Sequence, residues 1–316
     1  MKIYILLAFI LFQSCFLRDN YIIGIFKIDK ANKAERIING NVNENVVDIY
    51  LNDVKIGFYN HVEFPQTGEF IVKYNFKQRI SNMDRLFYQC PSLVALDLSH
   101  FDGSNVVNMD STFRENKQLT VVDLTNFDAT RVTYMGGLFK ECTGLVALDL
   151  STFRTSNALR DTRNMFESCT SLISINLRNF NTQNVYTMMY MFYNCKSLME
   201  LDLSSFNTRN CEEMRDMFAG CNSLTELKIR NFVTNKVTRM GNMFRNCNSF
   251  KTLDLSHFQI TRSTDMKYMF SGCSSLKLLF LPKAAQGMST WGMFNGCSAQ
   301  VIYKYLNSRF YSRDCL

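Results

Sequence analysis

Apolar positions return in a fixed register over most of the chain. A first Phe recurs at Phe87, Phe113, Phe139, Phe166, Phe192, Phe218, Phe244, Phe270 and Phe294, in steps of 24 to 27 residues that are mostly 26. Three residues after each stands Cys90, Asn116, Cys142, Cys169, Cys195, Cys221, Cys247, Cys273 or Cys297. A second Phe follows the first seven by 14 residues, at Phe101, Phe127, Phe153, Phe180, Phe206, Phe232 and Phe258. Nine registered units with one period set the architecture: a solenoid in which each unit stacks on the next.

Each unit carries two hydrophobic rhythms. In Val237, Met240, Met243, Phe244 and Cys247 the apolar residues sit at offsets 0, 3, 6, 7 and 10, which predicts one buried face of a helix. The following S-L-x-x-L-D-L-S, as in Ser197 to Ser204, alternates with period two over L-D-L and predicts a short strand with its leucines inward. Strands stack at about 4.8 Å and packed helices need about 8–10 Å. A coil holding both must curve, strands inside. The expectation is therefore an α/β repeat solenoid, a leucine-rich-repeat horseshoe of about nine 26-residue units.

The ends depart from the repeat. The opening MKIYILLAFILFQSCFLRDN has one Lys, an apolar run from Ile3 to Phe12 and then small or polar residues, the form of a signal peptide over 1–17. Cys15 leaves open a lipoprotein signal ending just before it; Ser14 suits that pattern, and Phe12 and Gln13 suit it poorly. Residues 18–82 hold β-rich runs such as VVDIYLNDVKIGFY, broken by turn residues, and read as a small N-terminal cap. The repeats occupy 83–298, and 299–316 read as a C-terminal cap.

Units such as MRDMFAGCNSLTELKIRNFVT and MGNMFRNCNSFKTLDLSHFQI resemble the BspA-like leucine-rich-repeat surface proteins, in particular their subgroup with M-x-x-M-F-x-x-C-x-S-L-x-x-L-D-L-S-x-F-x-T units. The resemblance spans residues 83–298, and the preceding TGEFIVKYNFK looks like the leader found before such repeats. It implies an exported protein at a cell surface, associated with adhesion and with binding host or matrix proteins.

Composition narrows the function. The net charge of +7 is spread among mixed Lys, Arg, Asp and Glu without a basic block, which points away from nucleic acid. Methionine and cysteine suit soft metals, but Leu86 and Leu138 stand where Met191, Met217, Met243 and Met269 stand, so the stripe reads as core and no metal or cofactor is expected. The repeat cysteines read as buried free thiols, since Asn116 breaks any strict pairing of neighbours; Cys315 is the one best placed to react or to pair, with Cys297. His61, His100 and His257 share no site, His100 and His257 being six units apart, and the P-loop, HExxH and GxSxG signatures are absent, so no enzyme is expected.

One column faces outward between the strand leucines: Asp97, Asp123, Asp149, Asn176, Asp202, Lys228 and Asp254. On a concave strand face this is the expected partner surface. The reading is an exported, cell-surface or secreted protein that binds a protein or other surface macromolecule. Neither nucleic acid nor a small-molecule substrate is expected, and membrane contact comes only through the N-terminal signal or a lipid on Cys15. The alternative is a structural or scaffold protein retained at a membrane or in a vesicle by its apolar N-terminus.

Overall fold

The computed structural model describes residues 20–261, 264–282, 289–297 and 302–304. The apolar leader with Cys15 lies outside the described residues, as does the region 299–316 with Cys315, apart from 302–304.

The chain begins with β1 (Tyr21–Ile28), β2 (Ala34–Arg36), β3 (Val47–Leu51), β4 (Val54–Ile56), β5 (His61–Glu63) and β6 (Gly68–Phe76), followed by β7 (Leu93–Asp97) and β8 (Val121–Asp123). Six of these form one sheet in the order β4-β3-β6-β1-β7-β8, while β2 pairs with β5. Asn52 and Asp53, both with positive φ (45° and 65°), make the two-residue turn between β3 and β4. β1 runs antiparallel to β6 and to β7, Ile23 lying opposite Asp97. β7 in turn pairs parallel with β8. The N-terminal sheet thus takes the open edge of the first coil, an edge that would otherwise offer unpaired backbone to another chain. Tyr74 closes the seam: its ring meets Phe87 edge-on at 5.2 Å and its hydroxyl donates to Ile37 O at 2.5 Å.

Beyond β8 the coils continue with β9 (Ala147–Asp149), β10 (Ser174–Asn176), β11 (Glu200–Asp202), β12 (Glu226–Lys228), β13 (Thr252–Asp254), β14 (Leu278–Phe280) and β15 (Ile302–Lys304). Parallel pairing joins β9 with β10, β11 with β12, and β14 with β13 and β15, equivalent residues lying side by side, as Leu148 with Ile175 and Leu201 with Leu227. A second parallel ladder runs through Asn82, Asn108, Tyr134, Asp161, Thr187, Glu213, Arg239, Asp265 and Ser289.

Here the structure overturns the α/β expectation: the described residues contain no helix. The M-x-x-M-F-x-x-C segment is a run of tight turns. Leu138, Lys140, Cys142 and Leu145 donate their N–H groups to the carbonyls three residues back, of Met135, Gly137, Phe139 and Cys142 (3.0–3.3 Å). The intervening amides of Met135, Gly137, Phe139 and Glu141 donate instead to Asp161, Arg163, Met165 and Glu167 of the next coil (2.7–3.1 Å). Positive φ at Gly137 and Glu141 (both 61°) turns the backbone between the two directions. The pattern recurs at Tyr190 and Asn194, at Asp216 and Gly220, and at Asn242 and Asn246. Turns closed every three residues put side chains inward at helix-like offsets, which is how the rhythm misleads.

The horseshoe and the unit count change with the helix. Without helices the spacing mismatch that demanded a horseshoe is gone, because both ladders step at strand spacing. The nine sequence units also yield only about seven turns of solenoid. The first unit's strand, β7, is absorbed into the N-terminal sheet, and the last unit is interrupted by positions outside the described residues.

The core is built from columns. The first Phe of each unit stacks on its neighbours from Phe87 to Phe294, centroids 5.2–6.3 Å apart. The second Phe does so from Phe101 to Phe206 at 5.5–6.5 Å. Each such pair adds about 0.5–1.5 kcal/mol beyond its burial. Polar columns are equally regular. Thr208 Oγ1 donates to Val233 O (2.9 Å) and accepts from Val233 N–H (2.8 Å), standing in for a peptide group. Thr155, Thr182 and Thr234 do the same toward Asn181, Asn207 and Gln259.

Candidate binding face

In the column Asp97 to Asp254, the strand ends and the chain must turn. Oδ1 of Asp97, Asp123, Asp149, Asp202 and Asp254 accepts the N–H two residues on, at Ser99, Thr125, Ser151, Ser204 and Ser256 (2.8–3.0 Å). Asn176 does so toward Arg178 at 3.2 Å. These are Asx turns, and they give the L-D-L-S repeat its Asp for a local reason. Lys228 breaks the series and instead pairs with Asp202 (3.2 Å) and Glu226 (3.9 Å).

The structure does not treat the column uniformly. Asp97 is buried beside β1, Asp123 and Asp254 are half-buried, and Asp149, Asn176, Asp202 and Lys228 are exposed. Bonds from the Ser204 hydroxyl and N–H, and then from Lys228, hold the Asp202 carboxyl below the usual carboxylate range. The Ser256 hydroxyl does the same for Asp254, with Arg230 nearby at 3.5 Å. Among the described residues, Asp123 and Asp149 have no cation within 4.0 Å.

The strand face also carries a feature that the hydrophobic rhythm did not single out. The position just before each short strand is polar in Thr120, Thr225, Lys251 and Lys277, but it is Val146, Ile173 and Met199 in three successive coils. These side chains are 41%, 46% and 53% exposed. Their backbones are linked in series, Ile173 N–H to Val146 O (2.8 Å) and Met199 N–H to Ile173 O (3.5 Å), so they form one short apolar row. Aligning the repeats column by column marks the same three residues as an unbroken apolar run between Thr120 and Thr225, with the half-buried Val94 of β7 a fourth apolar member of the column.

The residues that first suggest chemistry are structural. Met188, Met191, Met214, Met217, Met240 and Met243 are fully buried. The repeat thiols are unbridged and buried from Cys90 to Cys273, and Cys211 is buried with them. Cys169, Cys195, Cys221, Cys247 and Cys273 each donate S–H to the Phe carbonyl of the coil before (3.0–3.1 Å). Burial pushes the Cys169, Cys211, Cys221 and Cys273 thiols up to about 12. His100 stacks on Tyr21 (4.8 Å), His257 binds Ile229 O (2.9 Å), and His61 is exposed on β5. Among the described residues no three His, Cys, Asp or Glu converge to hold a metal ion. A cavity of about 810 Å³ lies beside the Arg79–Asp102 ion pair (2.6 Å), where Asn20 meets the first coils. No helix of the described residues is long and apolar enough to cross a membrane.

Parallel coils on columns of Phe, Cys and Thr define an all-β solenoid repeat protein with an exposed strand face. The chain belongs to the family described as "Mycoplasma protein of unknown function, DUF285", whose model matches residues 53–175 and 160–280. Among solved structures it is similar to a leucine rich cell surface protein from Faecalibacterium prausnitzii A2-165, 16% identical, with 72% of this chain and 76% of that one covered and a TM-score of 0.26. No curated protein matches the chain.

Proposed function

We propose that this chain is an exported surface protein of the BspA-like kind that binds another macromolecule through the strand face of its solenoid, acting in adhesion or recognition. The face is the one bearing Asp123, Asp149, Asn176, Asp202, Lys228 and Asp254, with Asp97 at its buried end. The observation that carries the reading is a surplus of charge. An Asx turn needs only one side-chain oxygen, and Asn176 makes the same turn without charge. The negative charge of the exposed Asp149 and Asp202 is therefore not needed to hold the coil, and it faces solvent.

Asp149→Asn with Asp202→Asn removes the charge and keeps the acceptor. The full chain and this double variant are compared for binding to an immobilised extracellular-matrix extract. The expected result is binding at least about tenfold weaker, equivalent to about 1.4 kcal/mol, at an unchanged melting temperature. Equal binding by the two chains would overturn the assignment of the face.

A further inference from the structure

We infer that the centre of the strand face is a docking site for a cationic partner segment that presents a row of apolar side chains between lysines or arginines. This rests on the proposed function and names the partner chemistry that the same face selects.

The apolar half of the inference lies in Val146, Ile173 and Met199. Three large apolar side chains, each over two-fifths exposed, stand on consecutive coils. At strand spacing the row is about 10 Å long. Scattered exposed apolar residues need no explanation, whereas a contiguous set ringed by polar groups marks an interaction site. Nothing in the fold requires it: Thr120 and Thr225 fill the flanking coils at the same position, with the same backbone bonds to Val94 and Met199.

The charged half lies in the neighbouring columns. From β8 to β11 the outward positions are Thr120, Val121 and Asp123; Val146, Ala147 and Asp149; Ile173, Ser174 and Asn176; and Met199, Glu200 and Asp202. They hold four carboxylates, Asp123, Asp149, Glu200 and Asp202, and no Lys or Arg, on a chain whose net charge is +7. At these three positions cations enter only from β12 onward, at Lys228, Lys251 and Lys277; the exposed Arg178 stands in the turn two residues past Asn176. Among the described residues no cation comes within 4.0 Å of Asp149 or Glu200. An apolar row beside unneutralised carboxylates selects a segment with the opposite pattern. Its apolar side chains bury the row, and its cations answer Asp149 and Glu200 and share Asp202 with the exposed Lys228. A neutral apolar segment would leave those charges to be desolvated unpaired.

Three labelled twelve-residue peptides serve as probes for the full chain: alternating Lys/Val, alternating Ser/Val and alternating Lys/Ser. The Lys/Val peptide is expected to bind at least about tenfold tighter than either of the others. Ile173→Ser with Met199→Ser should reduce it to the Lys/Ser level, and Asp149→Asn with Asp202→Asn to the Ser/Val level. All four positions are exposed, so melting temperatures of both variants should match the parent. Equal binding of Lys/Val and Lys/Ser, or Lys/Val binding untouched by the Ile173 and Met199 changes, overturns the inference. Sedimentation of the chain alone is a further test: self-association abolished by Ile173→Ser and Met199→Ser gives the row to a second copy and likewise overturns it. The two readings fail separately. If matrix binding falls in the Asp149 and Asp202 variant but not in the Ile173 and Met199 variant, the face stands and the partner chemistry falls.

Discussion

Asn116 shows how much one side chain carries in a repeat. Where the other units place Cys, its Oδ1 accepts from Cys90 N–H (2.8 Å) and its Nδ2 donates to Phe87 O (2.7 Å) and Phe113 O (2.8 Å). In other coils the Cys amide closes its own turn onto the Phe carbonyl and the thiol reaches the coil before, so Asn116→Cys restores the common pattern. That change should move stability by less than about 1 kcal/mol. Asn116→Leu is close in size but removes the side-chain donors to the buried Phe87 O and Phe113 O and the acceptor for Cys90 N–H, and should cost about 1–3 kcal/mol in urea unfolding. The thiols make a second residue-scale prediction. Their ordinary value of 9.0 is raised to about 12 for Cys169, Cys211, Cys221 and Cys273 by burial. Between those values the unfolded chain has lost protons that the native chain keeps, so stability is full below about pH 9 and drains away as pH rises toward 12. Urea midpoints measured from pH 8 to 12 should fall steeply over that window. At pH 8 the buried thiols from Cys90 to Cys273 should resist alkylation in the native chain until denaturant is added.

At the scale of the element, the sequence held the answer in positions that the hydrophobic rhythm passes over. The inward residues were legible because any closed coil must bury them: Phe, Leu, Met and Cys fall where the pattern put them. The turn type was not, because offsets of 3 and 4 suit a helix and a train of three-residue turns alike. The discriminating signal lies two residues before and two after the first Phe. In most units those positions hold Ser111, Gly137, Asn164, Asp216, Asn242 and Gly292, and Ser168, Asn194, Gly220, Asn246, Gly272 and Gly296, all with φ between 54° and 77°. These are residue types that tolerate or favour a left-handed turn and weaken a helix. The same logic separates two glycine substitutions. Glu141 sits at φ 61°, so Glu141→Gly relieves left-handed strain and should be neutral or stabilising by up to about 1 kcal/mol. Ala219 is buried and outside the left-handed set, so Ala219→Gly should cost about 1 kcal/mol. Gly220→Val forces a branched side chain to φ 77° with Asn194 backbone 3.3 Å from its Cβ, and should cost about 2 kcal/mol. Thermal unfolding of the three variants reads all of these out. Of the Asp column, Asp149, Asn176, Asp202 and Lys228 face outward as expected, Asp97 is instead buried beside β1, and the Asx turns were hidden, since they depend on where the chain bends after the strand.

At the scale of the whole molecule, the coils touch only their neighbours, so the unit of tolerance is the period and not the residue. Removing 193–218 deletes one period of 26 residues and joins Phe192 to Ala219, which takes the place of Tyr193 in the coil frame. β12 then lies beside β10 in the place of β11, and the column from Phe192 passes to Phe244 without a gap. Both strips of backbone hydrogen bonds, the Thr anchors and the thiol-to-carbonyl contacts all find equivalent partners. The shortened chain should fold, with the denaturant m-value falling in proportion to the surface removed and the midpoint shifting only modestly, as nearest-neighbour stacking requires. Removing 193–205, half a period, is the harsher change although it deletes fewer residues. It brings Phe206 to the place of Tyr193 and sets every later inward residue out of register with the coil below. That variant should lose cooperative unfolding and bind a hydrophobic dye, and a half-period deletion as stable as the full-period one would overturn the view that stacked equivalent columns hold the molecule together.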